Sequence, residues 1–142
     1  MNVYFPCDCY VNVDKYVDYL GKIQAFVLDI VGPYIIIGDF NCNPQALNSP
    51  CGKILNDFIQ DCVLKLIDGC LPLDSYTFVS DAWKSTCWLD HCLGPSCVTD
   101  LVDSCNIIYD SFHSYHYPLA VTIKMSDWIN SPVQTLVPLS LK

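Results

Sequence analysis

The sequence contains no arginine and no glutamate, so its seven basic residues are all lysine and its fifteen acidic residues are all aspartate. Without the planar guanidinium group, no side chain can hold a phosphate or a guanine through two parallel hydrogen bonds. The formal net charge of −8 also repels a phosphate backbone. Both features argue against an autonomous DNA-binding module. Chemistry on a polyanion would need divalent cations or basic surface from another chain.

The sequence also lacks an uninterrupted apolar stretch of about 18 residues, which excludes a membrane-spanning helix. Residues 1–6 show neither a basic flank nor an apolar signal core, so we expect an intracellular protein, nuclear or cytoplasmic, that is not secreted. Ten cysteines in such a chain are better explained as reduced thiols than as a disulfide framework.

What the chain does contain is enough apolar material for a core. Aliphatic, aromatic and cysteine residues make up 52% of the sequence and charged residues only 15%, which excludes a disordered chain. A length of 142 residues allows one domain. We place that domain at residues 1–125 and expect a tail at 126–142, where two prolines occur and no period is visible.

The order of predicted elements in the first part of the chain is strand, helix, strand. A strand at 3–5 precedes a helix that Asn12 or Asp14 can cap, and a second strand follows at 34–38. The helix is recognised by the three-and-four spacing of Leu20, Ile23, Val27 and Ile30. Such a unit favours parallel pairing of its two strands.

The second part changes from helical to extended patterns. Following a loop at 43–50, a second helix presents one broad apolar face, made of Ile54, Leu55, Phe58, Ile59, Cys62 and Leu66. Short strand-like runs then follow at 76–79, 86–93, 106–112 and 119–123.

The apolar run at 34–37 ends in a carboxylate and a carboxamide, and it has no polar alternation, so both faces of this strand should be covered. Gly38 frees the backbone there, and alternation along the strand lets Asp39 and Asn41 point the same way. Two such oxygens suit a hard cation or a polarised water. The alternative is a simple turn in which both side chains bond their own backbone.

Several separated segments together resemble the endonuclease/exonuclease/phosphatase, or DNase I-like, superfamily, most closely the endonuclease domain of non-LTR retrotransposon polyproteins. They follow in the expected order between residue 2 and about residue 123, and the match corresponds to the C-terminal portion of that domain. These segments are Asn-Val-Tyr-Phe-Pro at 2–6, Gly-Asp-Phe-Asn at 38–41, Tyr-Thr-Phe at 76–78, Trp-Leu-Asp-His at 88–91 and Ser-Tyr-His-Tyr-Pro-Leu at 114–119.

The resemblance implies an α/β (α+β) fold, part of a four-layer α/β/β/α sandwich that lacks its first strands. It also implies Mg²⁺-dependent hydrolysis of phosphodiesters in DNA. Asp39 and Asn41 would orient the attacking water and the phosphoryl oxygens, and His116, paired with Asp90, would act as base or cationic stabiliser. Tyr4 would contact the scissile phosphate. The resemblance assigns substrate binding to Thr77, Asn2 and Ser114.

The metal site is where the sequence departs from the family pattern. Asp39 is the one metal ligand that the resemblance supplies, since the family's metal-binding Glu would precede Met1 and Tyr115 stands where the family has an aspartate. Loss of carboxylates weakens Mg²⁺ binding, because this ion keeps its waters unless charge draws it in. The resemblance therefore implies an N-terminally truncated domain whose phosphodiesterase activity is impaired or lost.

Other interpretations remain beside the catalytic one. The chain can be a catalytically inactive remnant of such a domain, or a protein-binding module on the same fold. His116 could form a strand-entry turn, His91 could be structural, and Trp83 and Trp88 could either stack on bases or fill a core. Open strand edges in a partial sandwich would promote self-association.

Overall fold

The computed structural model describes residues 1–46, 48–110 and 114–124, and a four-stranded sheet lies at its centre. Its strand order is β1-β2-β6-β3, with β1 at Asn2–Tyr4, β2 at Ile36–Asp39, β3 at Leu64–Leu66 and β6 at Asp90–Pro95. β1 and β2 are parallel, as the strand-helix-strand order predicts, whereas β6 runs antiparallel to both of its neighbours.

Two helices cover one face of this sheet. The first helix, α1, spans Val13–Leu28 and buries the apolar spacing seen in the sequence, and α2 spans Pro50–Asp61. Their buried side chains form one core with Phe5, Ile36 and Phe40. Ser49 begins α2 with a hydroxyl that accepts a hydrogen bond from the Gly52 amide at 2.7 Å, while Pro50 occupies the first turn, where it needs no donor.

The other face of the sheet is covered by a β-hairpin of β7 (Val102–Ile107) and β8 (Leu119–Ile123). Ile35 and Ile37 pack toward this hairpin side, whereas Ile36 packs toward the helices and is 0% exposed. The prediction that this strand is covered on both faces is thus confirmed. The remaining strands, β4 (Phe78–Ser80) and β5 (Ser85–Cys87), form a separate antiparallel pair, and a short helix, α3, lies at Ser96–Thr99.

Several predicted boundaries are wrong. Leu66 lies in strand β3 and not on the second helix, since the chain turns at Val63, whose φ of 54° ends the helical geometry. Ile30 lies beyond α1, and Asn12 precedes that helix without capping it, because its amide donates to the Cys7 carbonyl instead. The single strand predicted at 86–93 is divided between β5 and β6.

The strand predicted at 106–112 begins earlier, at Val102. Its second and third residues, Asp103 and Ser104, are polar, so a search for apolar runs does not reveal its start. Residues 111–112 of that prediction, and the predicted tail at 126–142, lie outside the described residues. Among the helices that the structure describes, none is both long and apolar enough to cross a membrane.

Candidate functional site

The carboxyl end of β2 is shaped by Gly38, which brings β1 and β2 unusually close. Gly38 has a φ of 148°, and a Cβ atom placed there would lie 2.1 Å from the Val3 carbonyl oxygen. Only glycine fits this combination of backbone angle and close approach. The register that results places Tyr4 opposite Asp39 at the end of the two strands.

Asp39 and Asn41 are locked together by hydrogen bonds. The Asn41 amide N–H donates to Asp39 Oδ1 at 2.7 Å, and Asn41 Nδ2 donates to Asp39 Oδ2 and to the Phe5 carbonyl, each at 2.9 Å. Asn41 has a φ of 51°, a conformation that asparagine tolerates better than most residues. These hydrogen bonds match the turn interpretation, and the same turn fixes the orientation of the Asp39 carboxylate.

Asp90, at the start of β6, lies beside Asp39 across the sheet and forms a pair with His116. His116 Nδ1 lies 2.9 Å from Asp90 Oδ2, and His116 Nε2 lies 3.9 Å from Asp39 Oδ2. A proton on Nδ1 that bonds to a carboxylate fixes the tautomer and leaves the Nε2 lone pair directed at the site. The ring of Phe78 packs against His116 at an interplanar angle of 59°, with 4.9 Å between centroids.

Thr77 supports this arrangement from below. Its side chain is fully buried, and its hydroxyl oxygen accepts hydrogen bonds from the backbone amides of Leu89, at 3.0 Å, and Asp90, at 2.9 Å. These two residues lie at the break between β5 and β6. A buried Thr77 is not placed to contact a substrate directly, and its hydroxyl holds the backbone of Leu89 and Asp90.

The other sequence-predicted residues lie around the cluster of Asp39, Asp90 and His116 or away from it. Tyr4 is 77% exposed at the edge of the site, and the Ser114 hydroxyl accepts a hydrogen bond from the His116 amide at 3.0 Å. Asn2 lies two residues before Tyr4 on β1, with its side chain beside Gly38 and not beside Asp39. Tyr115 is exposed.

Two carboxylates lie close together in this cluster, and this proximity has an electrostatic consequence. Burial raises the pKa of Asp39, and the charge of Asp90 raises it further, whereas the Asn41 amide and His116 oppose the shift. One ligand atom from each of Asp39, Asp90 and His116 lies within 4.8 Å of the other two. The donor set is two carboxylates and one imidazole, which could hold a divalent cation.

Sequence reasoning missed a second histidine and aspartate pair directly beneath the site. His91 and Asp68 are almost completely buried, with 2.8 Å between His91 Nδ1 and Asp68 Oδ2. The burial of His91 fits the structural interpretation given from the sequence, but its partner was not recognised. The available signal was a lone aspartate at 68, between Ile67 and Gly69 in an apolar stretch, because such a carboxylate needs a buried partner.

Trp83 and Trp88 differ in exposure, and this bears on whether each fills a core or is free to stack on bases. Trp88 is only 5% exposed and lies next to His91, with 5.8 Å between ring centroids, so it belongs to the core. Trp83 is 84% exposed on the turn between β4 and β5.

Comparison with known proteins identifies the fold. No protein-family model matches the sequence, and no curated protein matches it. Solved structures do resemble it, among them the 3′ phosphatase NExo from Neisseria bound to a product DNA hairpin (TM-score 0.71, 14% identity), the endonuclease domain of TRAS1, a telomere-specific non-LTR retrotransposon (0.65, 21%), and the APE2 catalytic domain of Xenopus laevis (0.68, 18%). The chain has the DNase I-like endonuclease/exonuclease/phosphatase fold.

The DNase I-like similarity extends over most of this chain but over only about half of each neighbour. It covers 86% of the chain for NExo, 76% for TRAS1 and 86% for APE2, but only 59%, 51% and 48% of those three chains. The chain thus spans about half the length of the structures it matches. The mixed α and β architecture expected from the sequence is confirmed.

Proposed function

We propose that this chain is a cation-dependent phosphodiesterase of the retrotransposon-endonuclease type that acts on DNA with impaired activity. The observation that carries the proposal is the convergence of Asp39, Asp90 and His116 within 4.8 Å, with the histidine already oriented by a carboxylate. The similarity to NExo, bound to a product DNA hairpin, and to the TRAS1 endonuclease domain supports DNA as the substrate class.

In this proposal His116 is the proton-transfer residue. Its Nε2 takes a proton from the attacking water, and Asp90 stabilises the imidazolium that forms. Asp39 binds and directs that water. The side-chain amide of Asn41 donates its two protons to Asp39 and to the Phe5 carbonyl. Asn41 therefore holds the Asp39 carboxylate in place. Tyr4 contacts the scissile phosphate from the exposed edge.

The donor set fits a divalent cation, which Asp39 and Asp90 would hold. Bound there, Mg²⁺ would supply positive charge to the phosphate. Its retention should be weak, because the chain provides no Glu and each of these carboxylates already accepts a hydrogen bond from a neighbouring side chain. The activity is impaired for this reason.

Hydrolysis of a small activated phosphodiester with millimolar Mg²⁺ tests the chemistry separately from DNA binding. His116→Ala should lower the rate by about 10²-fold or more, as expected for loss of a general base. Asp29→Asn, which removes an exposed carboxylate at the end of α1, is the matched control and should leave the rate unchanged. Equal rates for wild type and His116→Ala would refute the proposal.

A further inference from the structure

The buried pair of His91 and Asp68 lies next to residues of the proposed site. His91 is adjacent in sequence to Asp90, and it contacts Cys42, which follows Asn41. His91 follows Asp90 on β6, and alternation along the strand directs the two side chains to opposite faces. Asp90 faces His116, whereas His91 is 1% exposed and lies in the core. In the loop that follows β2, the carbonyl oxygen of Cys42, the residue after Asn41, lies 3.0 Å from His91 Nε2.

Hydrogen-bonding chemistry defines most of the protons in this pair. A carbonyl oxygen only accepts, so Nε2 of His91 carries a proton that it donates to Cys42. Asp68 Oδ1 accepts from the Cys92 amide at 2.7 Å, which leaves Asp68 Oδ2 and His91 Nδ1 to share one proton. Each nitrogen of the ring and each oxygen of the carboxylate therefore has a partner, the condition under which a buried polar network is rigid.

The pair connects three separate segments of the chain. Cys42 lies in the loop that follows β2, His91 and Cys92 belong to β6, and Asp68 belongs to the 3₁₀ helix Ile67–Cys70. The rings of Phe40 and Trp88 flank His91, with centroid distances of 6.0 and 5.8 Å, so the imidazole has little freedom to tilt.

We propose that His91 and Asp68 are positioning residues that set the separation between the Asp39–Asn41 turn and the Asp90–His116 pair. The inference rests on the proposed function for its purpose, but the geometry it predicts can be measured without any activity. A buried polar pair that served stability alone could be replaced by apolar residues of similar shape at little cost. A positioning pair cannot be replaced in this way, because the register of Asn41 relative to Asp90 depends on the hydrogen bonds that the pair makes.

Two substitutions separate positioning from stability. His91→Phe keeps the ring between Phe40 and Trp88 but removes both hydrogen bonds. Asp68→Asn keeps the network, because the new amide can donate to Nδ1 while Nε2 still donates to Cys42 and the Cys92 amide retains its acceptor. Leu20→Ala, at a buried position of α1, is the control for a comparable loss of stability without any change to the hydrogen bonds of the pair.

The readout is the tautomer of His116, observed by ¹⁵N NMR of the imidazole nitrogens. The expected result is a single Nδ1–H tautomer in the wild type, in Asp68→Asn and in Leu20→Ala, and a mixture of tautomers in His91→Phe. An unchanged His116 tautomer in His91→Phe would overturn the positioning role, whatever the activity of the chain proves to be.

Hydrogen exchange on the wild-type chain provides a test if His91→Phe does not fold. The Cys92 amide bonds to Asp68, the Asp90 amide to Thr77 and the Phe40 amide to the Leu89 carbonyl. A positioning pair predicts that these three amides exchange through one common opening. Exchange of Cys92 through a separate opening, with Asp90 and Phe40 still protected, would contradict the proposal.

Discussion

At the scale of single residues, Gly38 determines whether the site can form. Its Cβ position is blocked by backbone and its φ is positive, so no rotamer change can relieve a substitution. Gly38→Ala must therefore push β1 away from β2 and displace Tyr4 relative to Asp39.

We expect Gly38→Ala to lower the free energy of unfolding by about 2 kcal/mol or more, measured by thermal or denaturant melting. The matched control is Gly21→Ala in α1, where a Cβ atom would meet nothing within 4 Å. That change should raise stability by about 0.5–1 kcal/mol, because alanine favours the helix. Similar effects of the two substitutions would show that the close approach of β1 to β2 is wrong.

Asp39 gives a residue-scale prediction about pH. Its pKa is raised in the folded state by burial and by Asp90, so the stability it contributes is present below its unfolded pKa and is lost as the pH rises through its folded pKa. Asp90→Asn removes the like charge and should lower the pKa of Asp39, measured by ¹³C NMR titration of the carboxyl carbons. An Asp39 pKa that rises, or stays the same, in Asp90→Asn would be inconsistent with repulsion between the two groups.

At the scale of elements, the start of α2 is connected to the loop after β1. The Ser49 hydroxyl accepts from the Gly52 amide and lies 2.5 Å from Asp8 Oδ2, and Asp8 Oδ1 accepts from the Cys51 amide at 3.0 Å. This cap holds the loop that leads out of β1, and Asn41 bonds to the Phe5 carbonyl at the beginning of that loop.

Ser49→Ala should lower the free energy of unfolding by about 1–2 kcal/mol, because a buried helix cap and a side-chain partner of Asp8 are both removed. Ser85→Ala, at an exposed position of β5, should change stability by less than about 0.5 kcal/mol when measured by the same denaturant melts. Equal losses in the two variants would show that the cap contributes nothing particular.

The elements also show what the sequence could and could not predict. The parallel pairing of β1 with β2 and the covering of β2 on both faces followed from element order and from an unbroken apolar run. The strand at Leu64–Leu66 could not be predicted, because Leu66 continues the apolar spacing of α2 and the positive φ at Val63 leaves no trace in residue type. For the site, the family resemblance implied the grouping of Asp39, Asn41, Asp90 and His116, but the role of Asp68 depends on a tertiary contact.

At the scale of the whole molecule, sheet edges and net charge should govern solution behaviour. Within the part of the chain that the structure describes, β1 and β3 are the edge strands of the central sheet, and apolar side chains such as Val11 and Leu28 are exposed. Open edges favour pairing with another chain, whereas a net charge of −8 opposes it through repulsion that salt screens.

We therefore predict self-association that increases with ionic strength, measured by analytical ultracentrifugation between low and high salt. Circular dichroism melts of the same samples should show a marginal fold whose stability depends on protein concentration. A monomer at all salt concentrations that melts cooperatively would exclude the edge-pairing account.

The most direct measurement of the central claim is the nicking of supercoiled plasmid as a function of Mg²⁺ concentration, for the wild type and for His116→Ala. The account predicts slow nicking that rises through the millimolar range without saturating at micromolar Mg²⁺, and a loss of about 10²-fold or more in the variant. Absence of Mg²⁺-dependent nicking, saturation at micromolar Mg²⁺, or equal nicking by His116→Ala would contradict it.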